Sequence, residues 1–294
     1  MRNNIIASLV EEMEIDETIF FLTADMGINL VEQIQQKFPS RFANVGIAEQ
    51  NMISIASGLA NLGFKPFVYT ISNFLIHRCF EQIRNDVILH NYPIVLLGTS
   101  TGYDNAPLGP THHIIDEWGC LSTIPGIEIY CPGTITYANS LVRKVLANQR
   151  PAYIRIPKGE FKNPESSDDF VLIKGETQKF LLISYGSPFQ ECLKVMDDNS
   201  SVSTLLFNKL IPIDETVISS ILKQYQNIYV IEDHFAINGL YSLICCICVK
   251  YKIFINIESI APKEYVFEVG VTNNYFHNRF GLTAEKIQQK LLEI

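Results

Sequence analysis

The chain has 294 residues, 47% of them hydrophobic and 18% charged, with a formal net charge of −8 and an isoelectric point near 5.3. That composition suits a folded chain with a substantial core, and at roughly 150 residues per domain the length suggests two domains. It argues against nucleic acid as a partner, because no basic stripe is present to neutralise phosphates, and against a membrane span, because no window is long and apolar enough.

The opening segment MRNNIIASLVEEMEID reads as an amphipathic helix. Its acidic residues stand where a secretory leader would be apolar, so export is not expected. A short strand ending at Gly46 follows. The next helix should bury Met52, Ile55, Ala56, Leu59 and Ala60 and stop at Gly63. PFVYT (66–70) has the look of a buried strand, and Phe74 to His90 that of a helix with Ile76, Cys79, Phe80, Ile83 and Val87 on one face. PIVLLG (93–98) and IEIYC (127–131) are further strands, and Asn139 to Ala147 is helical before the strand AYIRI (152–156). Residues 157–170, PKGEFKNPESSDDF, have the Pro, Ser and charge content of a linker.

Beyond it the alternation resumes with KFLLISYG, a helix, SVSTLLF, a helix capped by Asp214, NIYVIED, a helix from Asn238, KIFINI and a final helix capped by Thr283. The pattern predicts an α/β protein of two domains, 1–160 and 171–294, joined by a linker at 161–170. Each domain is a mainly parallel sheet covered by helices.

Such folds host many chemistries, so function has to come from particular loops. No G-x-G-x-x-G or G-x-x-x-x-G-K-[ST] announces a self-contained nucleotide site. Cys245 and Cys248 form a C-x-x-C inside the apolar run LYSLICCICV, with no second pair and no nearby histidine, and they read as core residues. Seven cysteines without framework spacing fit a reducing cytoplasm. Glu49 lies in a first helical turn beyond a strand's carboxyl end, where open α/β sheets place ligands; it also suits simple complementation of the helix dipole.

The block G-I-A-E-Q-N at 46–51, followed in order by FVYTISNFL, EQIRNDV, GPTHH and PAYIRIPKG, resembles the pyrimidine-binding domain of the transketolase family. Residues 170–294 resemble, more loosely, that family's C-terminal domain, which in relatives helps build the dimer away from the chemistry. The resemblance implies thiamine diphosphate as cofactor. Glu49 would hydrogen-bond N1′ of its aminopyrimidine and so favour loss of the thiazolium C2 proton. That role favours a protonated Glu49, which apolar surroundings from Val45, Ile47 and Ala48 would supply.

An aromatic wall for the pyrimidine would come from Phe74, with Phe80 as the second choice, and Ile47 would line the same seat. His112 in Leu108-Gly-Pro-Thr-His-His113 matches a histidine that faces the substrate and moves protons, with His113 as a further candidate. His77 and Arg78 would line the substrate channel. Arg155 matches a phosphate-gripping arginine; a rim ion pair explains it equally. His234 in IEDH reads as structural.

Two departures bear on specificity. Leu108 stands where sugar-transferring relatives carry a hydroxyl-reading aspartate, and Ser100 where they carry a histidine. The family holds Mg²⁺ through a G-D-G motif that this chain lacks, so the resemblance implies a second, diphosphate-binding subunit, an α2β2 assembly and small sugar or aldehyde substrates. The alternatives are a decarboxylating relative, resembling deoxyxylulose-phosphate synthase or a 2-oxoacid dehydrogenase β-subunit, or a binding protein that keeps the fold without catalysis.

Overall fold

Near-continuous apolar runs become strands buried on both faces, as a helix-covered parallel sheet demands. The computed structural model describes all residues except 160, 162, 163 and 294, so part of the expected linker lies outside the described residues. The strands, in chain order, are β1 (Ile19–Thr23), β2 (Phe42–Asn44), β3 (Lys65–Ile71), β4 (Val95–Thr99), β5 (Glu128–Tyr130) and β6 (Ala152–Ile156). They continue with β7 (Phe170–Ile173), β8 (Phe180–Ser184), β9 (Val202–Phe207), β10 (Lys209–Ile211), β11 (Asn227–Ile231) and β12 (Asn256–Ile260). The helices are α1 (Arg2–Ile15), α2 (Glu32–Lys37), α3 (Glu49–Asn61), α4 (Ser72–Ile76), α5 (Phe80–Gln82) and α6 (Glu117–Leu121). After them come α7 (Ile135–Asn148), α8 (Pro188–Asp198), α9 (Glu215–Leu222), α10 (Leu240–Lys250), α11 (Asn273–Arg279) and α12 (Ala284–Leu291).

The first sheet runs β10-β5-β6-β4-β3-β1-β2 and the second β12-β11-β8-β9-β7. Every pairing is parallel except β10 on β5 and β7 on β9. The second half of the chain thus lends β10 to the first sheet. One apolar cluster also joins Trp118, Leu121 and Tyr153 to Leu181, Ile183 and Leu205, so the halves share core. α1 packs on α7 across the first sheet through Ile5, Leu9, Tyr137 and Leu141.

Four expectations need adjustment. Phe74 to His90 is not one helix: α4 and α5 are separate, and Ile83–Ile88 is a π-helical turn, an irregularity that apolar spacing does not reveal. On α3 the buried face is Met52, Ile53, Ala56, Ser57 and Ala60, while Ile55 is exposed. The strand expected at KIFINI lies at Asn256–Ile260, and FVLI at the end of the linker segment forms β7. Asp214 caps α9 through the Val217 N–H, whereas Thr283 occupies the N-cap position of α12 without a side-chain bond to a helix N–H.

Candidate active site

The carboxyl ends of β2, β3 and β4 deliver three segments to one place, as open parallel sheets do. After β2, the Asn44 Oδ1 accepts from the Asp25 and Gly46 N–H groups and shapes the turn into α3. Glu49 opens that helix with only 2% of its surface exposed. Arg78, from the segment after β3, donates Nη1 to Glu49 Oε2 at 2.5 Å, and its guanidinium lies over the Phe74 ring at 4.4 Å. Phe74 in turn meets the His112 ring edge-on at 5.2 Å, from the segment after β4. His112 Nδ1 pairs with Thr111 Oγ1 at 2.9 Å, and Asn73 Nδ2 donates to the Thr111 carbonyl at 2.6 Å.

Glu49, Phe74, Arg78 and His112 therefore form one contiguous cluster. Burial lowers the His112 imidazole below its ordinary range, so it is neutral at neutral pH. The apolar shell expected for Glu49 is not what surrounds it: Ile47 is 79% exposed at the rim, and the carboxyl's nearest partner is a cation.

Beside this cluster, His77 Nε2 pairs with Asp116 Oδ1 at 2.8 Å, and Tyr265 from the second half donates to Asp116 Oδ2 at 2.5 Å. The Asp116 hydrogen bond raises His77 and favours the imidazolium. Burial alone would raise the Asp116 carboxyl, but the bonds from His77 and Tyr265 hold it below the usual range. Asp116 and Tyr265 escape a sequence reading because they lie 149 residues apart and belong to no motif. Thr111 and Asn73 sit inside recognised words and could have been found there.

Several expected site residues lie elsewhere. Phe80 packs against the main apolar cluster, whereas Phe74 touches Arg78 and His112. Ser100 is buried in a left-handed turn at φ 64°, away from open surface, whereas Leu108 is exposed on the loop. His113 is buried against Tyr103 and Phe276, facing the second half of the chain and not the cluster.

Arg155 has 0% exposure. Its Nε donates to Glu117 at 2.6 Å, its Nη1 lies 3.1 Å from Asp233, and it sits over the Tyr185 ring. It is neither a rim ion pair nor within reach of a substrate phosphate, because the second half of the chain covers that face of β6. His234 is structural as expected: Gly119 N–H donates to its Nε2 at 3.2 Å, its Nδ1 faces the Phe235 carbonyl at 2.7 Å, and burial keeps it neutral.

Two mainly parallel sheets covered by helices make this an α/β protein, with a buried acid at a helix start joined through Arg78 to an aromatic ring. Residues 1–164 match the family described as "Transketolase, pyrimidine binding domain", and the chain belongs to that family. It is 26% identical to an apulose-4-phosphate transketolase subunit of Phocaeicola vulgatus, over 100% of this chain and 99% of that one. The 6-deoxy-6-sulfo-D-fructose transketolase subunit SqwH of a Clostridium species is also 26% identical, over 100% of this chain and 94% of that one. A 1-deoxy-D-xylulose-5-phosphate synthase from Alkaliphilus oremlandii is 30% identical over 97% of this chain, which spans 47% of that protein.

Among solved structures, a split-gene transketolase in the form of an inactive β4 tetramer superposes with a TM-score of 0.88 at 22% identity, covering 99% of this chain and 97% of that one. Campylobacter jejuni transketolase gives 0.78 at 16% identity, covering 95% of this chain and 44% of that one. These likenesses show the fold.

The family implies thiamine diphosphate, and the donor set fits its aminopyrimidine half: a buried carboxyl to meet a ring nitrogen and a half-buried phenyl ring to meet a flat face. No helix among the described residues is long and apolar enough to cross a membrane.

Proposed function

We propose that this chain is the pyrimidine-binding subunit of a thiamine-diphosphate-dependent transketolase, which moves a two-carbon ketol unit from a ketose or ketose-phosphate donor to an aldehyde acceptor. The observation that carries this reading is the contact chain Glu49–Arg78–Phe74–His112, assembled from three strand ends. When bound, the cofactor supplies a nucleophilic carbon and an electron sink.

Glu49 holds the proton balance at N1′. Phe74 and Ile47 keep the pyrimidine flat against apolar surface. Arg78 fixes the orientation of the Glu49 carboxyl and braces the Phe74 ring. The neutral His112 imidazole donates to, or accepts from, the substrate oxygen as the carbon–carbon bond changes. His77, charged beside Asp116, lines the approach, and Leu108 leaves the acceptor side without a hydroxyl-reading carboxylate.

The sequence holds no G-D-G motif, so Mg²⁺ and the diphosphate are assigned to a partner subunit in an α2β2 assembly, in the cytoplasm. The names of the subunit-type relatives support that division, since each is a transketolase subunit and this chain spans nearly all of it. A division of labour within the chain follows the same lines, with residues 1–160 carrying the site and 171–294 a C-terminal-type domain beyond the 161–170 linker.

The 30% identity to a deoxyxylulose-phosphate synthase supports a second reading, decarboxylation of a 2-oxoacid such as pyruvate. The test is to combine the chain with a diphosphate-binding partner, Mg²⁺ and thiamine diphosphate, and to offer ketose phosphates and pyruvate in separate assays. Aldehyde release from a ketose without carbon dioxide supports transketolase. Carbon dioxide from pyruvate selects the second reading, and no cleavage of any donor leaves a non-catalytic binding protein.

A further inference from the structure

The loop between β4 and α6 offers His112 on one side and is gripped by the second half of the chain on the other. Tyr103 is fully buried, its ring stacked on Phe276 of α11 with centroids 4.6 Å apart and on Phe280 at 5.9 Å. His113, 7% exposed, meets the same Phe276 ring edge-on at 4.9 Å and Tyr103 at 5.1 Å. The Gly270 N–H donates to the Pro107 carbonyl at 2.9 Å, and Asn273 Nδ2 to Asp104 Oδ1 at 3.3 Å.

At two points the approach is close enough to require glycine. A Cβ on Gly102 (φ 53°) would lie 2.1 Å from the Asp233 carboxylate, and one on Gly109 (φ 79°) 2.4 Å from Val269 Cγ1. Neither Tyr103 Oη nor His113 Nε2 has a hydrogen-bond partner among the described residues. Burying such atoms unpaired costs stability, so fold stability alone does not account for two polar rings at this spot.

A loop of this kind is mobile unless something holds it, and a group that acts on substrate must be held to within about 0.5 Å. On its own side the His112 ring meets, among the described residues, Thr111 and the edge of Phe74. Its immediate neighbour, His113, is locked. We infer that Phe276 is a positioning residue: through His113 and Tyr103 it fixes the loop that aims His112, so the second half of the chain takes part in the chemistry as well as in assembly. This rests on the role proposed for His112 above.

The test uses the full chain, with ¹⁵N-labelled histidine, as parent, Phe276→Leu and Asn273→Ala. In the parent, desolvation keeps the His112 titration below the ordinary histidine value of about 6.5. In Phe276→Leu its resonances shift and its titration moves toward that value, while the resonances of His90, stacked on Tyr92 elsewhere, keep their positions. In the pair assembled with the diphosphate-binding partner, kcat for donor cleavage falls about 10-fold or more, as a sub-ångström misplacement predicts. Cofactor affinity by calorimetry is unchanged, because Glu49 and Phe74 stand on other strand ends.

Asn273→Ala, which leaves the aromatic core filled, moves the same signals less and carries the test if Phe276→Leu does not fold. A folded variant with unmoved His112 signals and unchanged kcat overturns the inference. If the parent pair cleaves no donor, the reading of function fails, and the resonance measurement still decides the positioning claim.

Discussion

Arg78 and Arg155 are both offered by the sequence as substrate-facing cations, and the fold treats them in opposite ways. Arg78 keeps 41% of its side chain exposed, beside a nearly buried Glu49 and over a phenyl ring. Arg155, on a strand covered on both faces, has none exposed and is caught between Glu117 and Asp233, one carboxylate from each half of the chain. The first lies at an open surface. The second is a rivet between two sheets, where charges are tolerated only because they are paired.

Breaking each arginine separates the two regions. Arg155→Met leaves Glu117 and Asp233 buried without their cation and should cost about 3–5 kcal/mol, read from the denaturation midpoint. An unchanged midpoint would mean that the rivet is dispensable. Arg78→Met should cost less than Arg155→Met, because Arg78 is half-exposed and one carboxylate, not two, loses its cation. It should nonetheless lower donor cleavage by roughly 10-fold, since Glu49 loses its orienting partner; wild-type turnover would move Arg78 out of the site.

The smallest effect tests the rivet's surroundings. Glu232 is fully buried, accepts from the Leu240 and Tyr241 N–H groups at 2.9 and 3.0 Å, and is pushed by burial up to about 8. Its folded value lies above the unfolded one, so its contribution is complete below the unfolded value, near 4.3, and is lost as pH rises toward 8. Glu232→Gln, which is neutral at every pH and keeps one of the two acceptor oxygens, should flatten the fall in Tm between pH 5 and about 8 relative to the parent. Parallel Tm curves would show that the carboxyl is already ionised across that range.

What the sequence discloses follows the same division. Strands buried on both faces announce themselves as apolar runs, so β3, β4, β6, β8, β9 and β11 are legible within a residue or two. Glu49, Phe74, Arg78 and His112 are legible because each sits in a short motif at a strand end. The direction in which Arg155 and His113 point is not, since it depends on a second sheet arriving from far along the chain. The same holds for Tyr265 on Asp116, for β10 in the first sheet, and for the π-helical turn at Ile83–Ile88 within what reads as a regular helix.

All of the chemistry proposed for this chain turns on Glu49. Its most direct test is the rate of ketose-donor cleavage by the assembled pair carrying Glu49→Gln, with the variant's thermal unfolding measured beside it. The expected result is an unaltered Tm and a turnover lowered by about 10²-fold or more, the scale on which a proton-handling group acts. Near-parental turnover with an intact fold would contradict it and return Glu49 to the role of a helix-end acid.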